Sequence, residues 1–167
     1  TRDGKDDVVA YKDPRTITTS YVRNGFGEVI QEVSPDAGTT TYVRDARGLI
    51  TQRTDPRGIV ANFTYDAAGR PLTRSYAGRA AENVTLTWDQ TWPGSGSYAV
   101  GRLSTIVDQS GTTNRRYDAQ GRVWGEWRTI ATAPEIQLGW GRDASGRINQ
   151  AWYPSGRHVV WNRDAMG

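Results

Sequence analysis

One phrase returns along this chain at near-constant spacing, and it limits the possible folds more than any other feature. Its fullest form is Phe63-Thr-Tyr-Asp-Ala-Ala-Gly-Arg70. Copies occur at Tyr42-Val-Arg-Asp-Ala-Arg-Gly48, Arg115-Arg-Tyr-Asp-Ala-Gln-Gly121, Trp140-Gly-Arg-Asp-Ala-Ser-Gly146 and Trp161-Asn-Arg-Asp-Ala-Met-Gly167, with a softer one at Tyr21-Val-Arg-Asn-Gly-Phe-Gly27. Counted on the acidic position, the copies are Asn24, Asp45, Asp66, Asp89, Asp118, Asp143 and Asp164, at intervals of 21, 21, 23, 29, 25 and 21 residues. A weaker turn lies between copies: Pro35-Asp-Ala-Gly38, Asp55-Pro-Arg-Gly58, Ala77-Gly78, Asp108-Gln-Ser-Gly111 and Pro154-Ser-Gly156. One period therefore reads strand, turn, strand, turn.

Residues ahead of each motif Asp alternate with period two. Tyr65, Phe63 and Ala61 alternate with Thr64 and Asn62, and Trp88, Leu86 and Val84 with Thr87 and Thr85. Alternation in this residue set specifies half-buried β-strands, and no stretch carries a helical period. The expectation is an all-β chain of antiparallel hairpins, each about 21 residues, making some 14 strands and a wide curved sheet roughly 65 Å across at about 4.8 Å per strand. Residues 1–20 read as a lead-in or partial repeat and 21–167 as the array.

Each repeated residue has a local physical reason. The Asp can accept a hydrogen bond from the N–H two residues on. Gly27, Gly48, Gly69, Gly121 and Gly146 end turns, where positive φ suits a residue without Cβ. The aromatic three residues before the Asp is expected to stack on its equivalent one repeat away. Arg70, Arg102, Arg122 and Arg147 stand where such rings or carboxylates would be met. These residues, with Asp45, Asp66, Asp89, Asp118, Asp143 and Asp164, are read as structural. Nineteen of the 21 basic residues are arginines, which stack on rings and fork onto carboxylates better than lysine does.

Two insertions break the period. Gln90 to Val100 opens the turn after Asp89 and carries Trp92 and Tyr98; Thr129 to Pro134 lengthens a minor turn. With Trp88, the rings Trp92 and Tyr98 are the candidate ligand-stacking residues of this chain. Elsewhere the chemistry is sparse. His158 is the only histidine and there is no cysteine, so the sequence offers no metal cluster, no disulfide framework and no cofactor site. The motif carboxylates come one per repeat, separated rather than paired for acid–base work. The net charge of +3 has no block of one sign, a poor footprint for nucleic acid. No apolar run is long enough for a membrane-spanning helix. The chain lacks an initiator Met and a signal peptide and is read as a piece of something longer.

A strand ending in Tyr-Asp, a turn closing on Gly-Arg and an Asp-Pro-x-Gly turn between copies resemble the YD repeat of the Rhs family. Tyr65-Asp-Ala-Ala-Gly-Arg70 and Tyr117-Asp-Ala-Gln-Gly-Arg122 carry the likeness most fully, and it runs from about Tyr21 to Gly167. Asn24, the arginines at 44, 142 and 163, and the open turn after Asp89 depart from it. The resemblance implies a bacterial secreted or cell-surface protein. It implies a spiral β-shell whose repeats enclose a C-terminal toxin, often delivered by type VI secretion, with relatives among insecticidal toxin complexes and teneurins. Many members carry a self-cleaving aspartyl site near the end of the shell. Asp55-Pro-Arg-Gly58 superficially resembles it but occupies an ordinary minor-turn position. The implied partners are the remaining repeats of the parent polypeptide, the encapsulated cargo and a secretion-apparatus protein. The expectation is a structural segment without enzymatic activity. A surface module binding carbohydrate or a receptor through the inserted-loop rings is the alternative.

Overall fold

The computed structural model describes residues 1–91 and 98–163. It is all-β and antiparallel, apart from one short 3-10 turn at Ala80–Glu82. Compact contacts divide the chain into two units, Thr1–Asn83 and Val84–Gly167.

The first unit is a meander of β1 (Ala10–Lys12), β2 (Thr18–Arg23), β3 (Val29–Ser34), β4 (Gly38–Arg44), β5 (Ile50–Thr54), β6 (Val60–Tyr65) and β7 (Pro71–Tyr76). Each strand pairs antiparallel with the one before it in sequence. The second unit repeats the plan with β8 (Val84–Trp88), β9 (Leu103–Asp108), β10 (Gly111–Tyr117), β11 (Val123–Thr129), β12 (Ile136–Arg142), β13 (Ile148–Trp152) and β14 (His158–Val160). Local pairing follows from the sequence, because a 21-residue period with two turns leaves connections too short for anything but hairpins.

The period begins earlier than Asn24. Asp3 heads a turn of the same kind, accepting the N–H groups of Lys5 and Asp7 at 2.9 and 3.0 Å, so residues 1–20 include a major turn one period upstream. It escapes a motif search because Asp6 (φ 67) stands where the other copies have Gly. Likewise Thr16 (φ 70) ends the turn begun by Asp13, the counterpart of Gly58 after Asp55.

Six major hairpins carry a β-bulge that alternation alone does not reveal. Thr64 faces Thr73 while Tyr65 faces Pro71, leaving Leu72 without an opposite number. The same skip isolates Ile30, Thr51, Ser104, Trp124 and Asn149. In uninterrupted repeats the bulged residue lies six places after the motif Asp or Asn. A bulge sharpens local twist and takes nearby carbonyls out of the ladder.

Among the described residues no motif ring stacks on its equivalent one repeat away. Tyr42 lies opposite Arg53, and Phe63 opposite Arg74. One period is two strands, so equivalent rings sit about 9.6 Å apart with a strand between them, beyond the ~4.5–7 Å range of ring contacts. The alternation itself is present. In β8, Val84, Leu86 and Trp88 are half-buried and Thr85 and Thr87 exposed. Among the described residues the buried apolar ones, Ala61, Ala99, Tyr117 and Ala151, are few and mostly small.

Thr16 carries a Cβ in the left-handed region, at a cost of roughly 1–2 kcal/mol. Thr16→Gly is therefore expected to raise the urea unfolding midpoint, despite the greater freedom glycine gives the unfolded chain. An unchanged or lower midpoint would contradict the strain assigned to this turn.

Candidate functional site

The functional geometry of this chain lies along the edge formed by the major turns. Each described major turn is closed by the Asp, or by Asn24, at its head. Asp45 Oδ1 accepts the N–H of Arg47 at 2.9 Å and of Leu49 at 3.0 Å. Asp118 does the same with Gln120 and Arg122, and Asp55 with Arg57 and Ile59 at a minor turn. Asp66 and Asp143 accept from the residues four places on, Arg70 and Arg147, at 2.9 Å. Asn24 makes both bonds at 3.0 Å, so the amide performs the task of the carboxylate. The second oxygen of Asp66, Asp118 and Asp143 receives the Nε–H of the arginine after the motif Gly, at 2.7, 2.8 and 3.0 Å. At Asp45 and Asp55 an arginine two places on takes this role. The N–H of the residue four on, opposed by partial burial and helped by the arginine, holds the Asp66 and Asp143 carboxyls below the ordinary 3.8.

Repeats are coupled by two further contacts. The residue just before the Asp donates to the carbonyl that starts the second strand of the preceding repeat. Tyr65 Oη reaches the Ile50 carbonyl at 2.8 Å, and Tyr117 Oη that of Leu103 at 2.7 Å. Where arginine replaces tyrosine, Arg23 reaches Val8, Arg44 Val29, Arg142 Val123 and Arg163 Ile148. Regular pairing of β5 with β6 ends at Gln52 and Asn62, and that of β9 with β10 at Thr105 and Asn114. The side chain bridges the strands where backbone pairing has stopped. Tyr and Arg interchange because donation to a carbonyl, rather than ring stacking, is required.

The second contact lies over the motif glycine at three turns. A Cβ on Gly48 would collide with the Glu28 side chain, one on Gly121 with Arg102, and one on Gly146 with Arg122. Each blocking residue comes from the preceding repeat. Arg102 also donates to the Gly121 carbonyl at 3.1 Å and lies over the Tyr117 ring.

The open turn after Asp89 rebuilds the same lock around its insertion. The Asp89 N–H donates to the Arg102 carbonyl at 3.1 Å, and the Gly101 N–H to Asp89 Oδ1 at 2.6 Å. Of the candidate stacking rings, Trp88 is half-buried in β8 and Tyr98 is 50% exposed at the loop base. Trp92 lies outside the described residues, as do Asp164 and Gly167. His158 stacks on Trp152, with ring centroids 5.0 Å apart and planes 5° from parallel. Among the described residues no three His, Cys, Asp or Glu side chains are grouped to hold a metal ion, and no helix is long and apolar enough to cross a membrane.

Tyr65→Phe strands the Ile50 carbonyl and is expected to cost about 1 kcal/mol, whereas Tyr65→Arg should recover most of that loss. Equal destabilisation by both in urea titrations would rule out the donor role. A Gly comparison separates strain from crowding: Gly58→Ala meets nothing, whereas Gly121→Ala also meets Arg102. The second should lower the midpoint more. The depressed aspartates stabilise the fold fully above the unfolded value of 3.8 and lose that contribution as pH falls through their lower folded values. The acid-side fall in unfolding midpoint should therefore be shallower in Asp66→Asn than in the parent.

The RHS Repeat family matches residues 44–81. No curated protein sequence matches the chain. Among solved structures, a chain of the Photorhabdus luminescens Tc holotoxin pore is 17% identical, with a TM-score of 0.74 over 95% of this chain and 9% of its own. Crystal structures of TcdB2-TccC3-TEV and TcdB2-TccC3-Cdc42 match at 14% and 15% identity, with TM-scores of 0.61 and 0.59, over 94% and 93% of this chain and 11% of theirs. The chain thus spans about a tenth of the length of the structures it matches. By sequence over residues 44–81 and by fold over nearly all of its length, the chain resembles the Rhs, or YD-repeat, family.

Proposed function

We propose that this chain is a wall segment of an Rhs-type β-shell, without a reaction of its own, in a longer secreted or cell-surface bacterial protein that encloses a toxin or other cargo. The inter-repeat latch carries the reading. A repeat closes on itself through its Asp, or through Asn24, and fastens to its predecessor through Tyr or Arg at the preceding position, which holds Trp88 only ahead of Asp89. Such a unit extends by addition, as repeat architectures do. Its partners are further repeats of the same polypeptide and the cargo they surround, and delivery through a secretion apparatus belongs to the same reading. The likeness to a small part of very long toxin-complex chains supports it. The motif carboxylates support it too, since turn N–H groups and arginines occupy those of Asp45, Asp66, Asp118 and Asp143.

The test uses the longer protein. Deleting one period, residues 46–66, is expected to open the wall and expose the cargo to added protease. Asp66→Asn and His158→Ala should leave both cargo protection and any self-processing intact. Loss of processing in His158→Ala, with β-sheet circular dichroism retained, would replace the structural reading with an enzymatic one.

A further inference from the structure

The strands of the first unit put their charge on one face. In β3 to β7 the charged residues are Glu32, Arg44, Arg53 and Arg74. Register joins them: Glu32 lies opposite Thr40, Tyr42 opposite Arg53, Arg53 opposite Ala61, and Phe63 opposite Arg74. Residues two apart in a strand share a face, so these rows form one surface. The other face holds Gln31, Thr41, Val43, Gln52, Asn62 and Ser75.

Most arginines of these repeats are committed. Arg44 donates to the Val29 and Gly48 carbonyls, and the turn arginines Arg47, Arg57 and Arg70 hold Asp45, Asp55 and Asp66. Arg53 and Arg74 differ. Among the described residues Arg53 has no carboxylate or carbonyl partner, and Arg74 meets only the Tyr76 ring, its guanidinium carbon 5.6 Å from the ring centre. Both are exposed. Each stands eight places after its motif Asp and faces the ring three places before it. Glu32, opposite Tyr21, holds the same position one repeat earlier, and among the described residues it too has no ion-pair partner. Two strands and two residues separate successive members of this line. At about 4.8 Å per strand and about 3.4 Å per residue their Cα atoms lie roughly 12 Å apart.

We propose that the line Glu32, Arg53 and Arg74 binds an extended acidic peptide. A guanidinium forks onto a carboxylate through two parallel N–H groups, and here each free one stands beside a ring, Tyr42 or Phe63, that shields one side of the contact from water. Residues four apart in an extended peptide project to the same side about 13.6 Å apart, close to the pitch of the line. The matching sequence is Lys-x-x-x-Glu-x-x-x-Glu, its lysine on Glu32 and its carboxylates on Arg53 and Arg74. Glu32 separates this partner from a phosphate chain: a polyanion continuing along the line would meet a carboxylate, whereas a peptide can change sign there. The site does not depend on the shell reading.

The experiment titrates the 167-residue chain into a dye-labelled peptide carrying Lys-x-x-x-Glu-x-x-x-Glu in a Gly/Ser background, and follows fluorescence anisotropy at low salt. Binding with Kd of about 1 mM or tighter is expected, weakening as salt rises. Arg53→Ala and Arg74→Ala should each weaken it about fivefold or more. Arg57→Ala removes the same charge from an arginine already held by Asp55 and should leave the affinity unchanged. Arg74→Glu should lose this peptide and gain Lys-x-x-x-Glu-x-x-x-Lys. Thermal melts identify the folded variants, and Arg53→Gln or Arg74→Gln replaces an alanine variant that unfolds. No binding, equal loss in Arg57→Ala, unchanged affinity in folded Arg53 and Arg74 variants, or tighter binding of a short oligothymidylate would each overturn the proposal.

Discussion

The structure depends on a side-chain oxygen, a carboxylate's everywhere but at Asn24, accepting backbone N–H groups at the head of the described major turns. A meander of short strands has little apolar interior to hold it, and here the buried apolar residues among those described are three alanines and a tyrosine. Strand ladders satisfy the backbone within strands, but turns and bulges leave donors and acceptors that burial would penalise. The Asp takes turn N–H groups, and the Tyr or Arg beside it takes the carbonyl beyond the preceding bulge. These adjacent residues, one accepting within the repeat and one donating to its predecessor, account for the Tyr-Asp pair. Because the carboxylate must be charged to hold its arginine, the turns couple the fold to acid pH even though each aspartate remains near solvent.

The same economy separates structural positions from free ones. The turn edge is constrained at the Asp, the Gly, the residue before the Asp and the side chain crossing the next glycine. Strand positions facing outward need only suit a pleated surface. Val22 and Val43 are 48% and 54% exposed two strands apart, and the equivalent position two residues before Asp118 and Asp143 holds Arg116 and Gly141. A repeat that concentrates its specification along one edge leaves its faces open to other chemistry.

Much of this was legible in the sequence, for reasons that also explain the failures. Period, hairpin topology and turn placement were visible because Asp and Gly at fixed offsets have one physical meaning in a tight turn. The bulges were hidden because a skipped residue leaves no compositional mark: Ile30, Thr51, Leu72, Ser104, Trp124 and Asn149 share no property. The ring ladder failed through counting, since equivalent residues are separated by a whole strand. Arg44 and Arg142 looked like departures from the motif because tyrosine suggested stacking; their hydrogen bonds show that both residue types serve as long donors. The Asp3 turn was missed because Asp6 replaces the diagnostic glycine.

The insertion after Asp89 shows how far the edge tolerates change. Twelve residues later Gly101 supplies the N–H that Asp89 Oδ1 accepts, and Arg102 supplies the carbonyl that completes the hairpin. The next repeat finds its anchor unchanged, for Tyr117 still donates to Leu103. Ala99 and Ser104, at 0% and 1% exposure, are the most buried residues at this point, so the loop base packs more tightly than an ordinary turn. Length at this edge is therefore nearly independent of the lattice, provided the Asp and a Gly-Arg pair bracket the added segment. Closing the longer loop costs only logarithmically more chain entropy, and the hydrogen bonds at its base are those every repeat already makes. A scaffold of this kind can accept a new loop at one turn without adjusting its neighbours, because each repeat reads its predecessor through a carbonyl and a side chain rather than through the turn itself.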